Sequence, residues 1–364
     1  MNDSVTRRAF AEQALRAGVS LGLVDWLLSG CRPKDAPNPP AGEGGGMPLE
    51  QELSLYIWSD YLADTTVPDF EKEFGVKVTV DNYESNEEMV AKLQAGASGY
   101  DLVVPSSYVL TVLRAAGLLA PVDRTLLPNA KNIAPLFRNP RWDPGDQVSI
   151  PWQWGFTGIA YRKDHIQVPP DSWAIFLDPK YRGKMTMLDD GRDVLGSFLK
   201  SHGHSLNSVA PAELAEAKTD AISAKKNLKA FLSAPVKGQL VAGDVWVAQL
   251  WNGDTAQARA ESDQIGFAPA KEGATIWLDA LVIPKAAKHK RAAHAFMNYI
   301  LRPEVGAAIS DKTGYGTPNA AAIPLTKAKL PYPSSAELAK LEYQIDLGPA
   351  GEMWDRVWTE VKSA

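Results

Sequence analysis

Residues 53–61 read Leu-Ser-Leu-Tyr-Ile-Trp-Ser-Asp-Tyr: an apolar alternation that ends by placing an acid between two large rings. The alternation predicts a β-strand, and the neighbouring segments fix its setting. "TVPDFEKEFG" (66–75) reads as a helix stopped by Gly75, and "VKVTVD" (76–81) as a second strand. "SNEEMVAKLQAG" (85–96) opens with Ser85 and Glu88 in capping-box spacing and closes with Gly96, which predicts a helix. "YDLVVP" (100–105) reads as a buried strand and "SSYVLTVLRAAG" (106–117) as a helix. Strand and helix alternating through short connections imply a parallel α/β sheet covered on both faces. Ligands of such sheets sit beyond the carboxyl ends of the strands. Trp58, Ser59, Asp60 and Tyr61 lie at one such end, and Ser106 and Tyr108 at another.

The rest of the chain continues the pattern less regularly. "KMTMLDD" (184–190) predicts a strand running into a turn at Gly191, and residues 212–233 a helix. "VWVAQLWNGD" (245–254) reads as an apolar stretch ending in a polar turn, and "ATIWLDALVIP" (274–284) as a strand. Residues 290–314 read as helix broken near Pro303, and residues 351–364 as an amphipathic helix whose Met353, Trp354 and Trp358 pack on the body. No fixed-period repeat is present.

Length and charge bound the function. The chain has 364 residues, 45% hydrophobic and 22% charged, enough for two lobes with sizeable cores. A net charge of -5 gives no electrostatic footprint for nucleic acid and favours cationic partners. The single cysteine, Cys31, excludes an internal disulfide framework and a multi-cysteine metal site. Arg7-Arg8, a short apolar run and Leu28-Ser29-Gly30 before Cys31 predict an export signal over residues 1–30, cleaved before a lipidated Cys31. The Pro- and Gly-rich segment after it makes residues 31–51 a flexible tether to a membrane surface.

The opening motif recurs. Trp58-Ser-Asp60, Trp251-Asn-Gly-Asp254 and Trp277-Leu-Asp279 each set an indole one or two residues before an aspartate. Along a strand, residues i and i+2 share a face, so Trp58 with Asp60, and Trp277 with Asp279, would look into one space. An aromatic face beside a carboxylate suits a cation: the acid supplies charge, and the ring adds about 0.5–2 kcal/mol while excluding water. Removing an ammonium from water costs several kcal/mol, so several such pairs along a slot would suit an elongated polyamine. A single Trp near an Asp is ordinarily a core ring beside a cap, and it is the threefold occurrence that argues for a site. Asp190 and Asp193 in "LDDGRD" add further acids, and capping, a divalent metal loop and ligand contact all remain open for them, although the spacing is not that of a calcium loop. His165, His202, His204, His289 and His294 show no zinc-ligand spacing. No phosphate-cradling glycine loop follows a strand, and no nucleophile elbow is present. Paired acids with indole platforms also fit a secreted glycoside hydrolase or a sugar-binding protein.

With these residues in view, the chain from about 53 to 362 resembles the periplasmic putrescine/spermidine-binding proteins of polyamine ABC importers. The motifs that carry the resemblance include "WSDY", "YESNEEMVAKL", "YDLVVPSSY", "SIPWQWG", "LDDGRDV", "WNGD", "KEGATIWLDALVIP", "LRPEV" and "GYGTPNAAA". The resemblance implies a type II periplasmic-binding fold: two lobes, each a mixed, mostly parallel sheet flanked by helices, closing on a ligand in the cleft between them. It implies lobe 1 over 52–155 and 279–323, lobe 2 over 156–278 and 324–364, and crossings near 154–156, 277–279 and 322–325. By position it implies ring contacts from Trp58, Tyr61, Trp251, Trp277 and Tyr315, and polar ones from Ser59, Asp60, Ser106, Tyr108, Asp190, Asp193, Asp254, Asp279 and Gln344. Asp60 and Asp193 stand where some members of the family carry Glu. Expected partners are a linear polyamine and a membrane permease; neither a cofactor nor a catalytic residue is implied, and a sensor or a receptor for another organic cation is the further alternative.

Overall fold

Both faces of the first strand are covered, as a parallel sheet requires. The computed structural model describes residues 48–364 except 84, 97, 98, 234 and 328–331. The expected export signal, Cys31 and most of the tether lie outside the described residues. From Leu49 the chain already engages the body: Leu49 packs on the core, and the Glu50 carboxylate accepts the Ala292 amide at 2.8 Å. β1 (Glu52–Trp58) buries Leu53, Leu55, Tyr56 and Ile57 almost completely. It pairs in parallel with β2 (Lys77–Tyr83) and β3 (Leu102–Val103). α1 (Thr66–Phe74) stops at Gly75, whose φ of 67° is the left-handed cap that glycine adopts without strain. α2 (Asn86–Gln94) opens at Ser85, whose hydroxyl accepts the Glu88 amide, and α3 (Ser107–Ala115) follows β3.

Next come β4 (Ser149–Arg162), β5 (Met185–Met187), α4 (Gly191–Ser201), α5 (Pro211–Lys225), β6 (Leu228–Phe231) and α6 (Val236–Ala242). β7 (Val247–Trp251), α7 (Asn252–Glu261), β8 (Ile265–Ala268) and β9 (Thr275–Val282) continue the chain. It ends with α8 (Lys290–Ile300), α9 (Pro303–Thr313), α10 (Ser335–Leu338), β10 (Glu342–Tyr343) and α11 (Gly351–Ser363). The strands run in the order β2-β1-β3-β9-β4-β7-β5-β6, with β10 on β9 and β8 on β4. Five pairings are parallel and four antiparallel, so the sheet is mixed.

β4 and β9 are the long elements that run through the molecule. Residues 149–156 of β4 pair with β9, whereas 157–162 pair with β7 and β8. The apolar packing divides along β4 as well. Phe156 belongs to a cluster with Leu55, Phe70, Leu102 and Phe296, while Ile159 and Tyr161 belong to another with Met185, Phe198 and Leu199. Trp354 is buried in the second cluster, with Met353 and Trp358 against it, as the amphipathic pattern of α11 predicts.

Three local expectations are corrected. Gly191 does not make a turn but begins α4, because the Asp190 side chain accepts the amides of Arg192 and Asp193 and so caps a helix there. The helix expected over 212–233 ends at Lys225, and residues 228–231 pair with β5 as a strand, tertiary pairing overriding the helix propensity of the Lys-rich run. "WNGD" is not a loop either: Trp251 is the cap and Asn252–Asp254 the first turn of α7.

Candidate functional site

Strand ends and helix starts bring the acids and rings together. Asp279 lies in β9 beside the β3–α3 connection, bridged to Ser106 by backbone pairing, and is buried. The Tyr61 hydroxyl donates to its Oδ2 at 2.6 Å, and Oδ1 has no hydrogen bond of normal geometry among the described residues. Burial pushes the Asp279 carboxyl up to about 6, opposed by the hydroxyls of Tyr61 and Ser106. No partner among the described residues reaches the Trp277 indole nitrogen, also buried. The Trp277 and Tyr315 rings meet at 5.0 Å, and Tyr315 meets Tyr61 at 5.7 Å. The result is a three-ring wall around an acid that has no counter-charge among the described residues.

Two glycines make that wall fit. At Gly155, in β4, a Cβ would run into the Trp277 ring and Asn252 Oδ1. At Gly253 it would run into the Tyr315 ring. Both approaches are far inside van der Waals contact, so only glycine lets the rings come this close to the backbone.

Asp254 accepts the Tyr315 hydroxyl at 3.0 Å, and Lys237 of α6 lies 4.0 Å from the same oxygen. Burial raises its carboxyl, and the Lys237 ammonium is the strongest opposing influence. Asp193 is buried in α4 and accepts the Thr157 hydroxyl at 2.9 Å, with the Trp251 and Thr275 side chains near enough to oppose the rise of its carboxyl. Its carboxyl is held well above the usual carboxylate range by burial, then by the neighbouring charge of Asp190. Asp190 itself caps α4, and Arg192 between the two acids binds the Ile345 carbonyl and Asn207 rather than either acid. Of the three readings left open for this pair, capping describes Asp190, while Asp193 turns inward.

Trp58 and Asp60 do not share a face. Trp58, the last residue of β1, is half-buried, donates to the Val104 carbonyl at 3.0 Å and packs on Tyr83. Asp60 adopts a φ of 54° in the turn after the strand, which rotates its side chain out into solvent, where Lys237 lies 3.9 Å away. Ser59 is exposed in the same turn. Ser106 and Tyr108 are both held by Asn86, whose amide donates to the two hydroxyls at 3.1 and 3.0 Å. Burial raises the Tyr108 hydroxyl, which therefore stays neutral. Gln344 comes directly after β10, half-buried, and the pairing of Tyr343 with Ile276 brings it level with Trp277.

Several positioning residues escape a reading by motif. Asn86 sits inside the helix signature "SNEE" and gives no separate signal. Asn252 accepts the Phe156 amide at 3.0 Å and ties β4 to α7. Gln153, deep in β4, donates to the Tyr61 carbonyl at 3.2 Å and accepts the Thr313 hydroxyl. Lys237, in "VKGQL", has no sequence context that points to the site.

Among the described residues no helix is long and apolar enough to cross a membrane. Residues 65–337 match the family model of the bacterial extracellular solute-binding proteins. The spermidine/putrescine-binding periplasmic protein of Escherichia coli (strain K12) is 34% identical over 318 residues, 85% of this chain and 91% of its own. The putrescine-binding periplasmic protein of the same organism is 36% identical over 346 residues, 88% of this chain and 94% of its own. A solved lipoprotein of Treponema pallidum superposes with a TM-score of 0.80 at 32% identity, covering 85% of this chain and 99% of its own. The fold is the two-lobed type II arrangement of such proteins. A match over most of the chain, by sequence and by fold together, means that this chain belongs to the family of bacterial extracellular solute-binding proteins.

Proposed function

We propose that this chain is the polyamine-binding receptor of an ABC importer, taking a linear polyamine into a cleft between two lobes and presenting it to a membrane permease. The observation that carries the reading is a set of three carboxylates, the buried Asp193 and Asp279 and the partly buried Asp254, all held above their usual range by desolvation and set among indole and phenol rings. Buried acids without an ion-pair partner among the described residues, as Asp193 and Asp279 are, are costly to the empty protein and are relieved by a ligand that brings the charge. Methylene segments between ammonium groups fit against Trp58, Trp251, Trp277, Tyr61 and Tyr315. Ser59, Asp60, Ser106, Tyr108, Asp190 and Gln344 complete the proposed contacts. The ligand leaves unchanged, and it holds the closed form by its higher affinity for it.

In this reading the lobes are 52–155 with 279–323 and 156–278 with 324–364, and the division of the apolar clusters along β4 supports it. We further assign the mature protein to the extracytoplasmic face of a membrane, held by lipid on Cys31. The small residues before that cysteine and the lipoprotein character of the Treponema pallidum relative support the anchor. Mass spectrometry of the exported protein tests it: acyl chains on Cys31 are expected, and an unmodified Cys31 would reject it.

A thermal-shift and calorimetric screen of putrescine, cadaverine, spermidine, spermine and agmatine tests the function. At a hundredfold excess over Kd a ligand stabilises the native state by about 2.7 kcal/mol, which reads as a rise of several degrees in Tm. No shift with any amine, or a shift with neutral sugars instead, overturns the proposal.

A further inference from the structure

Gln344 stands directly after the end of β10, yet its backbone is fixed on both sides. The Asn207 side chain does this: its Nδ2 donates to the Tyr343 carbonyl at 2.9 Å, and its Oδ1 accepts the Ile345 amide at 3.1 Å. A carbonyl at one position and an amide two positions on are the groups that a parallel neighbour would engage, so the carboxamide takes the place of a strand at this edge. Arg192 locks the carboxamide in turn. Its guanidinium donates to Asn207 Oδ1 at 2.9 Å and to the Ile345 carbonyl at 3.2 Å, and lies over the Trp354 ring at 5.0 Å. The turn that carries Asn207 also grips β10, the Ser205 hydroxyl donating to Glu342 at 2.6 Å.

The bracket decides direction. Tyr343 pairs with Ile276, so an extended backbone at 344 sets Gln344 beside Trp277 on one face, while the Tyr343 ring meets Trp142 at 4.8 Å on the other. Asp60 shows the opposite outcome: two residues beyond the end of β1 its φ is 54° and its side chain goes to solvent. We propose that Asn207, locked by Arg192, is a positioning residue that keeps residues 343–345 extended and so sets the Gln344 amide against the ligand. The inference rests on the polyamine reading, in which Gln344 is a proposed contact. A hydrogen bond to a charged group changes affinity by about tenfold or more, but only from a fixed position. Removing the bracket should therefore cost most of what removing the Gln344 amide costs, and no more.

The test is a double-mutant cycle, read by calorimetric titration of putrescine and of spermidine into the wild type, Gln344→Ala, Asn207→Ala and the double variant, with Tm followed in each. Gln344→Ala should weaken at least one of the two amines about tenfold, and Asn207→Ala should weaken the same amine about fivefold. With Gln344→Ala already in place, Asn207→Ala should change affinity by less than about twofold, because its effect runs through the amide that is gone. A loss from Asn207→Ala that is undiminished in the Gln344→Ala background makes Asn207 a structural support and overturns the inference; so does an Asn207→Ala protein that binds as the wild type does. Wild-type binding of both amines by Gln344→Ala also overturns it, and leaves the polyamine reading standing on its acids and rings. If Asn207→Ala does not fold, the cycle is read with Asn207→Asp, which keeps the acceptor for Arg192 and the Ile345 amide and loses only the donor to Tyr343, and the same criterion applies. Failure of both amines to bind the wild type removes the polyamine reading and this inference together.

Discussion

Trp58-Ser-Asp60 and Trp277-Leu-Asp279 have the same spacing and opposite outcomes. In β9 the strand continues through both residues, so the indole and the acid face one space, and Asp279 is buried against Tyr61. In β1 the strand stops at Trp58, and the positive φ of Asp60 turns the carboxylate into solvent with 83% of its side chain exposed. Period-two reasoning holds only while the backbone stays extended. The energetic consequence is large. A carboxylate in water is screened and contributes little on its own, whereas one buried among rings exerts its charge through a low dielectric.

This contrast ranks the substitutions. Asp279→Asn should cause the largest loss, about 2–5 kcal/mol of polyamine binding or roughly thirtyfold and beyond, because it removes a desolvated charge partner. Calorimetry reads it, and binding within threefold of wild type would break the comparison at its buried end. The ligand-free variant should be at least as stable as the parent at pH 8, since an isolated buried charge has gone.

Next comes Trp277→Leu, expected to weaken binding about tenfold through loss of the ring face and its contact with Tyr315. An unchanged isotherm would remove the aromatic wall from the account.

Acidity sharpens the same comparison. The Asp279 carboxyl is raised to about 6, so between its unfolded value near 3.8 and about 6 the folded, ligand-free chain holds more protons than the unfolded chain. The stability contributed by the protonated group is present at low pH and lost as pH rises through 6; Asp193 and Asp254, raised as well, add in the same direction. A polycation needs the ionised acids, so affinity should run the opposite way. It should be about tenfold weaker at pH 5 than at pH 7.5, with protons released on binding near pH 6. Titrations in buffers of different ionisation enthalpy measure that release, and zero release would show that these acids are not the acceptors.

The smallest effect is expected at the exposed end. Asp60→Asn should change affinity by no more than about fivefold, in the range of exposed ion pairs, and by less at high salt. A loss as large as that of Asp279→Asn would invert the ranking and place the dominant charge at the rim.

Much of the architecture was legible in short signals. Gly75 and Ser85 mark real helix boundaries because capping depends on a few neighbouring residues. The strand at 274–284 was legible from its apolar run. The starts of α4 and α7 were missed because acids and Asn-Gly read as turn formers when it is not known that a helix begins there. β6 was missed because a four-residue edge strand is decided by its pairing with β5. Within the candidate site, Asp279, Trp277 and Tyr315 were proposed from the sequence, but not that Asn86, Asn252 and Gln153 hold the frame around them, since a buried amide declares its partners only in three dimensions.

The sequence by itself determined the alternation of strands and helices, the absence of a disulfide framework and the repeated pairing of indoles with acids, all consequences of local spacing and composition. Only the tertiary structure decided which acids are buried without a counter-charge, which one is turned into solvent, and that Lys237 reaches Asp60, which precedes the first helix, as well as its near neighbour Asp254. Burial and long-range charge proximity depend on how distant segments meet, and no window of neighbouring residues encodes either.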